Sequence, residues 1–135
     1  MKNSLVSTLL AEFHDHDPDK VLQKAKEALD SKKVDLENID NDIAKLADER
    51  QKLEDENKAK DEDINYRNMK IASNAKDKQK HIDERDKSQD IKNENETKII
   101  AIDRVKGLLG RQREREKNQY DEDKDSIEKQ EKFAI

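Results

Sequence analysis

The strongest constraint in this sequence is a series of apolar residues that are spaced alternately three and four positions apart, beginning at Leu22. Eight of the first ten positions in the series are apolar, in a stretch where most other residues are charged or carry amides. This spacing keeps one narrow stripe of a helix facing a partner helix, and it is the pattern of a coiled coil. We call the series the seam, and its early apolar members are Leu22, Ala25, Leu29, Leu36, Ile39, Ile43, Leu46 and Leu53.

The composition restricts the chain to folds with little interior. Leu, Ile, Val and Phe make up 27 of the 135 residues, whereas 47% of all residues are charged. So little apolar surface cannot build the core of a compact globular domain. Two Gly and one Pro provide few turns for a β-rich or α/β fold, and the lack of Cys excludes disulfides and thiolate metal sites. The sequence therefore predicts an all-α protein of long coiled-coil helices.

The seam keeps its phase along the chain but changes in character. Between Asn57 and Asn95 its only apolar members are Ile64 and Ile71. Apolar members then return, at Ile99, Ile102, Leu109, Tyr120, Ile127 and Ala134. Two apolar segments therefore flank a polar one.

Two arrangements fit this pattern. One continuous helix over 18–133 is favoured by the unchanged phase and by the lack of Gly or Pro near the middle. An antiparallel hairpin is favoured by an approximate mirror in the apolar positions, centred near Asn74, which can end a helix. Because a hairpin lets one chain bury its own seam, we favour it over the rod. The predicted domains are an N-terminal amphipathic helix and turn over 1–17 and a long coiled-coil region over 18–135, with a turn near 73–77.

The N-terminal region carries its own helix signals. Asp17-Pro18-Asp19 provides a cap, a proline for the first helical position and an acid for the first turn, and so predicts the start of the long helix. An amphipathic helix is predicted over 4–14. Because a helix this short is marginal in water, its apolar stripe should dock on the coil or on another protein. The stripe consists of Leu5, Val6, Leu9, Leu10 and Phe13.

Near residue 100 the apolar residues cover more than the seam. Ile100, Val105 and Leu108 lie out of phase with it, which implies either a second contact surface or a thicker patch of coil core. Gly107 and Gly110 each weaken a helix by about 1 kcal/mol relative to Ala and permit a kink or a close approach. We predict that this region and the N-terminal stripe dock a protein partner or another copy. The residues near 100 in this prediction are Ile99, Ile100, Ile102, Val105, Leu108 and Leu109.

Candidate chemical groups are few. His14, His16 and neighbouring acids such as Asp19 have metal-ligand side chains, but in a segment before a helix Asp17 has a capping role and the others suit a solvated turn. Whether the two histidines bind a metal stays open, and we predict no metal, cofactor or catalytic residue. His81, in the polar part of the seam, is expected to be a surface or partly packed residue.

Two adjacent blocks near the C-terminus carry opposite charge. Residues 104–117 hold six bases and two acids, and residues 121–131 hold six acids and two bases. A basic helix can contact phosphates, but no aromatic residues interleave with these bases and the acidic block would repel a polyanion. Register control between helices, or docking on a partner of matching pattern, explains the blocks better. Nucleic-acid contact is therefore not expected.

These features predict a non-enzymatic structural or assembly protein, a coiled-coil scaffold, spacer or adaptor within a larger assembly, for which a viral or phage particle is one candidate. The alternative is a regulator that inserts the hairpin tip, residues 66–85, into a large enzyme or complex. A third possibility is a coil that contacts phosphates through Arg111, Arg113 and Arg115. With no membrane-spanning stretch and no secretory signal in the sequence, we expect a cytoplasmic or virion location rather than secretion.

Overall fold

The computed structural model describes residues 5–11, 18–73 and 76–133, of which 97% are helical and none lies in a strand. Two long helices pack against each other as a hairpin, and a short helix precedes them. This confirms the all-α class and the preference for a hairpin over a continuous rod. The helices are α1 (Leu5–Ala11), α2 (Pro18–Ala72) and α3 (Lys78–Phe133).

Local sequence accounts for both ends of α2. The helix begins at Pro18, whose missing N–H is no loss in a first turn, and Asp19 adds a negative charge near the positive end of the helix dipole. At the other end, the Ser73 backbone N–H donates to the Met69 carbonyl and the Ser73 hydroxyl donates to the Lys70 carbonyl, each at 3.0 Å. These bonds satisfy last-turn carbonyls that have no partner within the helix.

The chain reverses between α2 and α3. Asn74, the predicted helix-ending residue, lies outside the described residues. On the α3 side, the backbone N–H of His81 donates to the carbonyl of Asp77 at 3.1 Å, which closes the first turn of the helix.

The chain divides into two compact units, which we describe one at a time. The terminal unit comprises residues 1–43 and 108–135, and the turn unit comprises residues 44–107.

The terminal unit has an apolar core to which all three helices contribute. Val6 of α1, Ala25 of α2 and Ile127 of α3 are each at most 3% exposed and form one cluster. Burying a side chain such as Val or Ile stabilises a fold by about 1.5–3 kcal/mol. α1 is too short to be stable alone, so its order depends on this cluster. Four partly buried residues pack around it: Leu10, Leu22, Ala28 and Leu29.

The turn unit has less apolar burial. Among the described residues of this unit, Ile102 is the one buried hydrophobic side chain, at 9% exposure. Ser88 and Asn95, both seam positions, are more fully enclosed, at 4% and 3% exposure. The turn unit therefore fills part of its inter-helix space with polar side chains.

Within each unit, the seam follows the shielded side of the long helices. Every described member of the series from Leu22 to Gln130 is buried or partly buried, apart from Lys78 at the start of α3. Leu36 and Ile39 are buried. Ala25 is fully buried. The remaining predicted apolar seam residues of α2 are partly buried: Leu22, Leu29, Ile43, Leu46 and Leu53.

Candidate interaction surfaces

The inter-helix space of the turn unit holds an amide whose nitrogen donates two hydrogen bonds. The Asn95 side-chain nitrogen donates to Glu56 Oε1 at 2.7 Å and to Asn57 Oδ1 at 3.0 Å. Because Asn95 is buried, a register that removed these acceptors would leave its amide desolvated without compensation. The amide therefore favours one alignment of α2 with α3 in this unit.

A second buried contact pairs a hydroxyl with a carboxylate. The Ser88 hydroxyl donates to Asp63 Oδ2 at 2.6 Å, and Arg67 donates to Asp63 Oδ1 at 3.3 Å. The Ser88 hydrogen bond is the main cause that lowers the pKa of Asp63, and the positive charge of Arg67 adds to it, against the opposing effect of burial. The charged form of Asp63 is thus the form that this contact stabilises.

Close to the turn, His81 contacts two side chains of α2. Arg67 Nη1 lies 2.9 Å from His81 Nδ1, and because a guanidinium has only donors, the ring nitrogen must accept. The ring of Tyr66 meets the imidazole edge-on, with centroids 6.2 Å apart. His81 is partly buried, in agreement with the expectation of a partly packed residue.

Ion pairs at the edge of the turn unit join the same two helices. Lys92 Nζ lies 2.7 Å from Asp61 Oδ1, and Arg50 Nε lies 2.8 Å from Asp103 Oδ1. The hydrogen bond that Lys92 donates to Asp61 is the main cause that raises the pKa of Lys92. Because these charges are near solvent, each pair adds more to alignment than to stability.

The outer surface of the turn unit carries apolar side chains. Ile100 is 55% exposed and Val105 is 44% exposed. A shallow groove of 460 Å³ also lies in this unit. Its lining is mainly apolar and consists of Glu49, Lys52, Leu53, Lys98, Ala101 and Ile102.

Two more exposed hydrophobic side chains lie close to the turn. Tyr66 is 49% exposed and Met69 is 72% exposed, both in the last two turns of α2. They belong to the region that sequence analysis assigned to a possible tip contact.

The predicted N-terminal docking stripe is divided by the fold. Val6 packs in the core of the terminal unit, and Leu10 packs against that core. Leu9 is partly buried, whereas Leu5 is 64% exposed. Phe13 lies outside the described residues. Much of the stripe is therefore occupied by the chain's own α2 and α3.

The predicted docking residues near 100 fall into two units, because Gly107 ends the turn unit and Leu108 belongs to the terminal unit. In the turn unit Ile102 is buried and Ile99 is partly buried, which leaves Ile100 and Val105 exposed. In the terminal unit Leu109 is partly buried and Leu108 is 59% exposed.

The terminal unit also buries a charged residue that sequence analysis did not single out. Asp123, a seam position, is 1% exposed. Gln119 Nε2 donates to its Oδ1 at 3.0 Å, and Lys32 Nζ lies 3.5 Å from its Oδ2. The one sequence signal of this burial was the position of Asp123 in the seam, which places it on the same side of α3 as Ile127.

The basic block is only partly engaged within the terminal unit. Arg113 donates to Asp40 across the two helices, and this contact raises the pKa of Arg113. Lys117 pairs with Asp121 one turn along α3. Of the three arginines assigned to phosphate contact, Arg113 is therefore already bound to a carboxylate, while Arg111 and Arg115 are exposed.

The N-terminal residues with metal-ligand side chains include His14, His16 and Asp17, which lie outside the described residues. Asp19 lies in the first turn of α2. Over the ranges 5–11, 18–73 and 76–133, no group of three or more His, Cys, Asp and Glu side chains could hold a metal ion. Nor does any helix in these ranges combine the length and apolar character needed to cross a membrane.

Comparisons with known proteins found no matching family model, no matching curated protein and no matching solved structure.

Proposed function

We propose that the protein is a non-enzymatic structural or assembly protein, a coiled-coil hairpin that serves as a scaffold, spacer or adaptor in a larger protein assembly. The observation that carries the proposal is in the turn unit, where Ser88 and Asn95 fill the interior while Ile100 and Val105 remain exposed. The apolar side chains that are not used in folding are available to a protein partner.

Single exposed hydrophobic residues are common on protein surfaces, so the argument depends on their grouping. Ile100 and Val105 lie on the same stretch of α3 as Ala101 and Ile102, which line the apolar groove with Leu53 of α2. Residues 100 and 105 lie about 140° apart around the helix, so this stretch of α3 shows apolar side chains on more than one face, and such apolar surface is typical of protein–protein contact sites. The lining also holds two lysines and one glutamate, Lys52, Lys98 and Glu49, and this net positive charge would bias the groove towards partner surfaces with carboxylates.

Site-specific photo-crosslinking in the expressing cell tests this surface. A photoreactive residue at position 100 should yield a discrete crosslinked protein partner, whereas the same residue at Lys87, exposed on the same helix, should not. The variant Ile100→Asp with Val105→Asp should keep its helical circular dichroism and lose the partner that is recovered with the wild-type chain. Equal crosslinking at positions 87 and 100 would remove the proposed docking surface.

The N-terminal stripe needs a more selective test. Leu9→Asp with Leu10→Asp should abolish partner recovery, but Leu10 also contacts the core of the terminal unit, so this variant disturbs α1 itself. Leu5→Asp is the cleaner change, because Leu5 is 64% exposed. If α1 docks a partner, Leu5→Asp should weaken recovery without lowering the free energy of unfolding, and unchanged recovery would confine docking to the turn unit.

One observation favours the alternative of a regulator that inserts its tip. Tyr66 and Met69 are exposed in the turn unit near the chain reversal, where a groove in an enzyme could receive them. Charge reversals at Lys76, Asp77 and Lys78, combined with Met69→Asp, should abolish regulation by such a protein. A spacer should tolerate the same changes, so the two functions give opposite results.

A further inference from the structure

A stripe of exposed residues runs along α3 in the terminal unit, out of phase with the seam. Its members are also spaced alternately three and four residues apart, which keeps them on one face of the helix. Every member is exposed. We call this series the outer stripe, and it consists of Leu108, Arg111, Arg115, Asn118, Glu122, Asp125 and Lys129.

The charges of the outer stripe are ordered around Asn118. Arg115 lies three residues before it and Glu122 four residues after it, while Arg111 and Asp125 lie seven residues to either side. The two residue pairs nearest to Asn118 are thus basic on one side, at Arg111 and Arg115, and acidic on the other, at Glu122 and Asp125. When two copies of the stripe lie antiparallel, the basic pair of each copy faces the acidic pair of the other.

The chain does not use most of these charges internally. Within the part of the chain that the structure describes, the side chains of Arg111, Arg115, Asn118 and Glu122 make no hydrogen bond or ion pair. Arg113, which lies off the stripe, is by contrast bound to Asp40 of α2. Asp125 pairs with Lys129 one turn along the same helix at 3.0 Å, with both side chains more than 60% exposed, which leaves its carboxylate accessible.

We propose that a second copy of this chain docks antiparallel on the outer stripe, with a two-fold axis near Asn118. Arg111 of each copy then faces Asp125 of the other, and Arg115 faces Glu122. A two-fold contact uses the same patch on both copies, so each pairing occurs twice. A parallel copy would place like charges opposite each other, which disfavours that arrangement.

The composition of the stripe sets the character of the contact. Leu108, at one end, can lie against the methylene groups of Lys129 of the other copy, and the remaining contacts are charged. Exposed ion pairs are individually weak and are screened by salt. The association is therefore reversible and weakens as ionic strength rises. It goes beyond the proposed function, because it uses the charged face of the terminal unit rather than the apolar surface of the turn unit.

Charge reversal gives a direct test by sedimentation equilibrium of the full chain at low and high salt. Arg111→Glu with Arg115→Glu makes all four charged positions nearest to Asn118 acidic, and Glu122→Arg with Asp125→Arg makes the same four positions basic. Each variant alone should have its dissociation constant raised by about tenfold or more. An equimolar mixture of the two should form a one-to-one heterodimer, and the variant with all four changes should regain self-association.

Lys20→Glu with Lys24→Glu is the matched control. These two exposed lysines of α2 have the same spacing as Arg111 and Arg115, and the change in net charge is the same. At a salt concentration that screens the change in net charge, the control should associate as the wild-type chain does. Circular dichroism should show that all variants are helical. If the wild-type chain stays monomeric at low salt, the proposal is wrong. This holds even if the basic residues of the stripe bind an added polyanion such as polyglutamate. Failure of the mixture to form heterodimers, or a control as weak as Arg111→Glu with Arg115→Glu, also overturns it.

Discussion

The two units of this hairpin use the same helical spacing with different side chains. In the terminal unit the interior is closed by Val6, Ala25 and Ile127, which gain stability from the removal of apolar surface from water. In the turn unit Ser88 and Asn95 lie in the seam, as Ala25 and Ile127 do, but they are hydrogen-bonded to side chains of α2. Apolar burial is insensitive to direction, whereas these hydrogen bonds require particular partners. The comparison suggests that the terminal unit supplies more of the stability and the turn unit more of the alignment.

The largest expected effect is in the apolar core. Ile127→Ala should lower the free energy of unfolding by about 2–4 kcal/mol, because it removes buried methyl groups and leaves a cavity beside Val6 and Ala25. Ile100→Ala is the matched control, since the same substitution at a residue 55% exposed should change stability by less than about 0.5 kcal/mol. Urea unfolding followed by circular dichroism measures both. Equal losses would show that the terminal unit has no special role in stability.

The next effect concerns the buried amide. Asn95→Ala should cost about 1–3 kcal/mol, because it removes two hydrogen bonds between α2 and α3 that a buried side chain makes. Asn118→Ala removes the same side chain from an exposed position and should be close to neutral at concentrations too low for the proposed self-association. Asn95→Leu should restore much of the stability and broaden the amide spectrum of the turn unit as competing alignments become populated. A single sharp spectrum for Asn95→Leu would contradict the alignment role.

A smaller effect depends on pH. The pKa of Asp63 is lowered in the fold, chiefly by the Ser88 hydroxyl. The stabilisation from this contact is therefore present above the unfolded-state pKa and is lost as the pH falls through the lowered folded-state pKa. Ser88→Ala should destabilise the chain by about 1 kcal/mol at neutral pH, and the difference from the wild type should shrink in acid. A difference that does not depend on pH would mean that Ser88 acts by packing alone.

The smallest effect is expected at a surface ion pair of the terminal unit. Lys26 Nζ lies 2.6 Å from Glu131, but both side chains are more than 40% exposed. Lys26→Gln should change the free energy of unfolding by less than about 0.5 kcal/mol, and the change should vanish at high salt. A loss as large as that of Asn95→Ala would mean that charge, rather than the interior, governs stability.

Much of the fold could be predicted because it depends on local and periodic signals. Pro18 marks the start of α2, and the three-four spacing identifies the shielded side of both long helices, even where the seam is polar. The hairpin was the favoured arrangement and is confirmed. The approximate mirror centred near Asn74 sets Leu22 opposite Ile127, and in the structure Leu22 packs against the cluster that contains Ile127.

The interaction surfaces were harder to predict, because they depend on register and on what the chain itself covers. The spacing shows that Asn95 faces α2, but only the register of the hairpin sets Glu56 and Asn57 opposite it. Leu5 and Val6 are adjacent and similar in hydrophobicity, yet one is exposed and the other is buried, because α1 docks on its own hairpin in one orientation. The docking roles assigned to these residues stay predictions.

The central claim is that α2 and α3 of one chain pair with each other, and short-range crosslinking tests it most directly. The chain has no cysteine, so Arg50→Cys with Asp103→Cys, at an ion pair between the helices of the turn unit, offers a single reactive pair to a short bismaleimide. The account predicts an internally bridged monomer in high yield, even when the variant is diluted with excess cysteine-free chain. Arg50→Cys with Lys78→Cys should give no internal bridge, because residue 78 is about 37 Å along α3 from residue 103. Bridged dimers in place of bridged monomers, or equal yields from the two variants, would contradict the hairpin.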